Sequence, residues 1–76
     1  MKDELFNRLK EFRAREDITQ EVLASRVGVT RQTIISIERR VYTPSTALAL
    51  RLANALDVTV EEIFRLSNET GKESKS

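Results

Sequence analysis

The chain has 76 residues, a net charge of +1, no cysteine and no histidine. That length makes one small domain, and the two missing residue types remove disulfides, thiolate metal sites and the commonest general base and metal ligand. An enzyme is disfavoured, because the only glycines, Gly28 and Gly71, cannot build a phosphate-cradling loop; neither a cofactor nor a metal is expected.

The opening MKDELFNRLK is charged and lacks a long apolar run, so neither a signal peptide nor a membrane span is expected there, and the cytoplasm is the expected compartment. Residues 3–16 are predicted as the first helix. Leu5, Leu9 and Phe12 recur at helical spacing with Phe6 beside them, and acidic Asp3 and Glu4 and basic Arg13 and Arg15 suit its two ends. Asp17-Ile18 links it to Thr19, an N-cap for a second helix with Val22, Leu23 and Val27 as its apolar stripe. Gly28 stops that helix, because glycine takes a left-handed conformation without steric cost. Thr30 caps a third helix from Arg31 to about Arg39, with Ile34, Ile37 and Val41 facing inward. Two short helices joined through a glycine are a helix-turn-helix.

Val41–Thr43 reads as an exit loop, and Pro44 pushes Thr43 towards an extended conformation. Ser45 caps a fourth helix from Thr46 to about Leu56, apolar over a wide arc because Leu48, Leu52 and Ala55 form one line and Ala49, Ala53 and Leu56 the next. Thr59 and Glu62 form a capping box, with Val58 and Ile63 as its staple, and open a fifth helix ending near Phe64 or Leu66. Residues 67–76 are polar and read as a disordered tail behind a domain of residues 1–66. The expected fold class is all-α, with five helices.

The third helix is informative on its outer side. At about 100° per residue, Gln32, Ile35, Ser36 and Arg39 point away from Ile34 and Ile37, with Arg31 at the edge. An amide, a hydroxyl, an aliphatic group and guanidinium groups are the chemistries that read base edges in a major groove. A solvated polar face has the same periodicity. Charge distribution adds to the first reading: Arg26, Arg31, Arg39 and Arg40 stand against Glu38 alone, whereas Asp57, Glu61 and Glu62 carry no neighbouring cation. Glu38 falls about 40° from the inward stripe, so it is expected to be partly buried and to need a partner.

The set T-Q-x-x-L-A-x-x-x-G-V-T-x-Q-T-I-x-x-I-E, running from Thr19 to Glu38 and followed by Pro44 and Ser45, resembles the Cro/Xre family of phage-repressor-like DNA-binding domains. The similarity extends from about Asn7 to Phe64. The resemblance implies a five-helix phage-repressor-like bundle and a prokaryotic or phage transcriptional regulator, a repressor in its simplest form, that binds double-stranded DNA at the nucleoid. It implies base contact by Arg31, Gln32 and Ser36 and phosphate contact by Gln20 and Thr30. Thr33, Arg39, Arg40, Tyr42 and Thr43 are further candidates for the backbone, although the Tyr42 ring could equally cover the base of the fourth helix. It also implies that Arg13 pairs with Glu38 and locks the first helix onto the third. One departure stands out: the family usually has glycine where this chain has Arg40, so either the third helix runs further or Arg40 takes a left-handed conformation.

One such domain buries little surface on DNA, so a homodimer on a palindromic operator is expected, with Val60, Phe64 and Leu66 as candidate interface residues. The alternative is a protein-interaction module of the antitoxin or adaptor kind on the same fold.

Overall fold

The computed structural model describes residues 4–67. Its elements are β1 (Leu5–Asn7), α1 (Leu9–Arg15), α2 (Gln20–Val27), α3 (Arg31–Glu38), α4 (Thr46–Leu56), α5 (Val60–Ile63) and β2 (Phe64–Leu66). The fold is mostly helical, but the all-α expectation needs correcting. β1 and β2 form a two-stranded antiparallel sheet that pairs Leu5 with Leu66, Phe6 with Arg65 and Asn7 with Phe64. The first helix therefore starts at Leu9 rather than residue 3, and the fifth stops at Ile63, beyond which Phe64 is extended at φ −115° and ψ 140°. The spacing of Leu5 to Leu9 mimics a helix because Leu5 does pack on the core, from a strand. Pairing between two ends of the chain leaves no local pattern to read.

The core consists of Leu9, Phe12, Leu23, Ala24, Val27, Ile34, Ile37, Leu48, Leu52, Ala53, Leu56, Ile63 and Phe64. Leu48, Leu52, Ala53 and Leu56 of α4 supply a broad inner face, and α2 packs against both α3 and α4. Two residues assigned to inward stripes lie outside. Val22 is 39% exposed, since Leu23, Ala24 and Val27 already fill the inner face of α2, and Val41 is 76% exposed, since α3 ends before it. Of the expected tail, Ser67 donates its backbone N–H to the Glu4 carbonyl at 2.8 Å; residues 68–76 lie outside the described residues.

The helix ends follow one chemical plan. Thr19, Thr30, Ser45 and Thr59 each accept a backbone N–H three residues on, and Glu62 completes the capping box by accepting from Thr59 N at 2.7 Å. At the other ends, Asp17, Gly28, Arg40 and Asp57 are left-handed. Each is followed by a residue whose N–H reaches back five positions: Ile18 to Arg13, Val29 to Ala24, Val41 to Ser36 and Val58 to Ala53. These are Schellman caps, which normally add an apolar contact from the last residue of the motif. Ile18, Val29 and Val58 make it, packing on the core. Val41 does not.

Asn7 joins the sheet to the helices. Its Oδ1 accepts from Leu9 N at 3.1 Å, opening α1, and its Nδ2 donates to the Ile37 carbonyl at 2.9 Å, in the last turn of α3. Asn7→Ala removes both bonds; the Ile37 carbonyl keeps the Arg40 N–H at 2.9 Å, but the Leu9 N–H at the start of α1 loses its side-chain acceptor, so the stability measured by urea unfolding is expected to fall by about 1–2 kcal/mol. An unchanged midpoint would mean that water replaces Asn7 at no cost.

Candidate nucleic-acid interface

The outer face of α3 is set by how its inner face is buried. Ile34 and Ile37 are fully enclosed, which turns Arg31 and Gln32 to solvent and leaves Ile35 and Ser36 half-buried on the flank. Gly28 makes the turn before α3 at φ 78°, and a Cβ there would meet nothing within 4 Å, so the glycine serves backbone conformation rather than space. Arg51 of α4 fastens the same turn by donating from Nε to the Val27 carbonyl at 3.1 Å. Nothing in the sequence around Arg51 pointed to that bond.

Glu38 closes α3 against two other helices. Arg13 Nε lies 2.7 Å from Glu38 Oε2, and Arg13 Nη2 lies 3.2 Å from Oε1, a two-bond fork. The side chains are 14% and 8% exposed. Arg13 also donates from Nη1 to the Ile18 carbonyl at 3.1 Å, and Gln20 donates from Nε2 to Glu38 Oε1 at 3.1 Å. The carboxylate is thus held by α1 and α2 together. Gln20 commits one amide hydrogen inward, with its second hydrogen and its carbonyl oxygen left for another partner.

The remaining candidates differ in how free they are. Thr30 and Thr33 share a hydroxyl contact of 3.1 Å while Thr30 caps Thr33 N, so the two are tied to each other at the start of α3. Arg31, Gln32, Arg39 and Thr43 are exposed, and Tyr42 is 47% exposed. Arg40 is left-handed at φ 65°, at a cost of about 1 kcal/mol for a residue with a Cβ. Its guanidinium lies over the Phe6 ring, 4.4 Å from the centroid, with Nη1 3.8 Å from Glu4 Oε1. Leu5 and Asn7 of β1, with Arg39, Arg40, Tyr42, Thr43 and Pro44, line a cleft beside the exit of α3. The role of β1 in this site was missed from sequence. The usable signal was Asn7, a good capping residue and a poor helix-interior one.

Comparison with known proteins agrees with this arrangement. A family model described as Helix-turn-helix matches residues 9–63. An HTH-type transcriptional regulator of Archaeoglobus fulgidus is 47% identical over 62 residues, covering 82% of this chain and 87% of the relative. The HTH-type transcriptional regulator YgzD of Bacillus subtilis is 46% identical over 63 residues, covering 83% and 96%. Among solved structures, the restriction-modification controller protein C.AhdI of Aeromonas hydrophila superimposes with a TM-score of 0.69 at 36% identity, covering 72% of this chain and 83% of that one. No described helix is long and apolar enough to cross a membrane.

The Glu38 network yields a stability prediction. Glu38→Ala strands the buried Arg13 cation and is expected to destabilise by about 3 kcal/mol, a large share of what a domain this small has. Thermal unfolding of the variant measures it, and an unshifted melting temperature would contradict the structural importance of the pair.

Proposed function

The chain belongs to the Cro/Xre-type helix-turn-helix family of DNA-binding transcriptional regulators, and from that premise we propose that it is a sequence-specific repressor that reads the major groove of double-stranded DNA with α3. The observation that carries the reading is the outer face of α3, where Arg31 and Gln32 are exposed, with half-buried Ser36 on the flank, while Glu38 fixes the helix beneath them. A guanidinium suits guanine, an amide suits adenine and a hydroxyl suits either. Gln20 and Thr30 stand at the first turns of α2 and α3, where free backbone N–H groups and the helix dipoles favour phosphate. Thr33, Arg39, Arg40, Tyr42 and Thr43 complete the backbone set. Repression follows from occupancy of a promoter and requires nothing further of the domain. The protein-interaction alternative is less favoured, because an adaptor has no use for a polar, cationic recognition face.

A homodimer on a palindromic operator fits the small size of one module, with two copies of α3 about 34 Å apart. Of the three residues first considered for its interface, Phe64 is excluded because it lies in the core at 9% exposure. Leu50, at 57% exposure, lies beside Val58 and Val60 along a shallow cleft between α4 and α5, and this apolar strip is the better interface. Light scattering of the wild type is expected to give a dimeric mass and Leu50→Glu a monomeric one; a monomeric wild type at high concentration would overturn the dimer.

The division of labour in α3 is tested by binding. Selection from a random DNA pool supplies the operator. On that operator, Arg31→Ala or Gln32→Ala is expected to cost about 1–3 kcal/mol and to relax base preference. Arg39→Ala or Arg40→Ala is expected to weaken all sequences alike and to lower the salt slope by about 0.9 per charge. Identical behaviour of both classes would refute the distinction between base and backbone contacts.

A further inference from the structure

We infer that the N-terminal strand β1 is part of the DNA-binding machinery: Phe6 holds the Arg40 guanidinium in place for a backbone phosphate, and Glu4 restrains it. The inference rests on the DNA-binding reading above and adds two residues of a segment that reading leaves out.

Three observations converge on this strand. The first is the exit of α3. Of the four Schellman caps in the described residues, only this one lacks its apolar anchor, because Val41 points to solvent. The second is what anchors the exit instead. Asn7 holds the Ile37 carbonyl, and the neighbouring Phe6 lies under Arg40. Side chains alternate along a strand, so Leu5 and Asn7 face the core while Phe6 is presented on the outer side. The strand is in turn fixed by pairing with β2, and at Glu4 by two hydrogen bonds to Ser67. The third is the identity of residue 40. A left-handed position favours glycine, yet it carries the longest cation available.

The two contacts on Arg40 have opposite consequences for a phosphate. A ring attracts a cation through its quadrupole and adds no counter-charge. Phe6 therefore fixes the guanidinium while the N–H donors around its edge keep their capacity for oxygen ligands. Glu4 is different. Its carboxylate, 3.8 Å away, offers Arg40 the same kind of partner that a phosphate would, and it repels an incoming anion. Both side chains reach solvent, with 44% exposure for Arg40 and 71% for Glu4, so phosphate can displace the carboxylate.

The test uses the full chain and a short random-sequence duplex, with Kd measured by fluorescence anisotropy over a salt series. Phe6→Leu is expected to weaken binding about threefold and Glu4→Gln to tighten it about threefold, the sizes expected for exposed contacts of this kind. Both effects should vanish in the Arg40→Gln background, which isolates their route. Glu4→Gln is a surface change and should leave the melting temperature unmoved, so its gain in affinity cannot be an effect of folding. Shifts in the same direction, shifts that persist without Arg40, or no shift while Arg39→Gln still weakens binding would each overturn the role of β1 and leave the DNA-binding reading standing. If the wild type ignores DNA at low salt, that reading itself fails and this one with it.

Discussion

The carboxylate of Glu38 is the constraint on which the site depends. It lies at the end of α3, almost withdrawn from water, and it is held by hydrogen bonds from α1 and α2 at once. A buried ion pair contributes little net stability, because desolvation of both charges offsets most of their attraction. Its contribution here is geometric. A two-bond fork from Arg13 has a narrow range of acceptable orientations. Apolar contacts alone would let α3 roll by small angles on Ile34 and Ile37. The fork removes that freedom, and Gln20 couples the same carboxylate to the first turn of α2, where a phosphate clamp is proposed. An eight-residue helix has no independent stability in water, so its orientation must come from such external ties.

Among the described residues, the helices close more often on non-glycine residues than on glycine. Asp17, Arg40 and Asp57 take the left-handed position that only Gly28 occupies without strain. An aspartate tolerates this conformation through its short polar side chain. Arginine has no such excuse, and against its strain stands a contact with the Phe6 ring that glycine could not make. The two-stranded sheet gains a purpose from this. Three residues per strand bury too little to stabilise a domain, but they bring the chain's described ends together beside the exit of α3.

What was legible in the sequence was local. Thr19, Thr30, Ser45 and Thr59 announce helix starts because a hydroxyl acceptor is needed there, and Gly28 announces a stop because its φ is left-handed. The exposure of Arg31 and Gln32 follows from the burial of Ile34 and Ile37 by helical geometry alone. What was not legible depends on segments distant in sequence. β1 pairs with a strand about 60 residues away, and no local period records it. Leu5 sits where a helix would also place an apolar residue, so the pattern favoured the wrong element. Arg51 reaching Val27, and Gln20 turning inward to Glu38, are likewise products of packing. Phe64 shows the same limit from the other side: an apolar residue near the end of a small chain looks available for a partner until the fold consumes it.

The arrangement separates two tasks that a DNA-binding helix must combine. α3 is fixed at its start by the Thr30–Thr33 pair, along its length by Ile34 and Ile37, and at its end by Glu38 and by Asn7 on the Ile37 carbonyl. Arg31, Gln32 and Ser36 take part in none of these ties among the described residues. Substituting them changes the chemistry offered to a groove without disturbing what aims it. The proposed backbone set is less independent. Gln20, Thr33 and Arg40 each belong to a structural contact as well, so affinity for the phosphate backbone is coupled to the fold in a way that base preference is not. On the proposed assignment, base preference would rest on exposed Arg31 and Gln32 and half-buried Ser36, whereas a change in general affinity would have to be accommodated by the helix ends and by the strand that braces them.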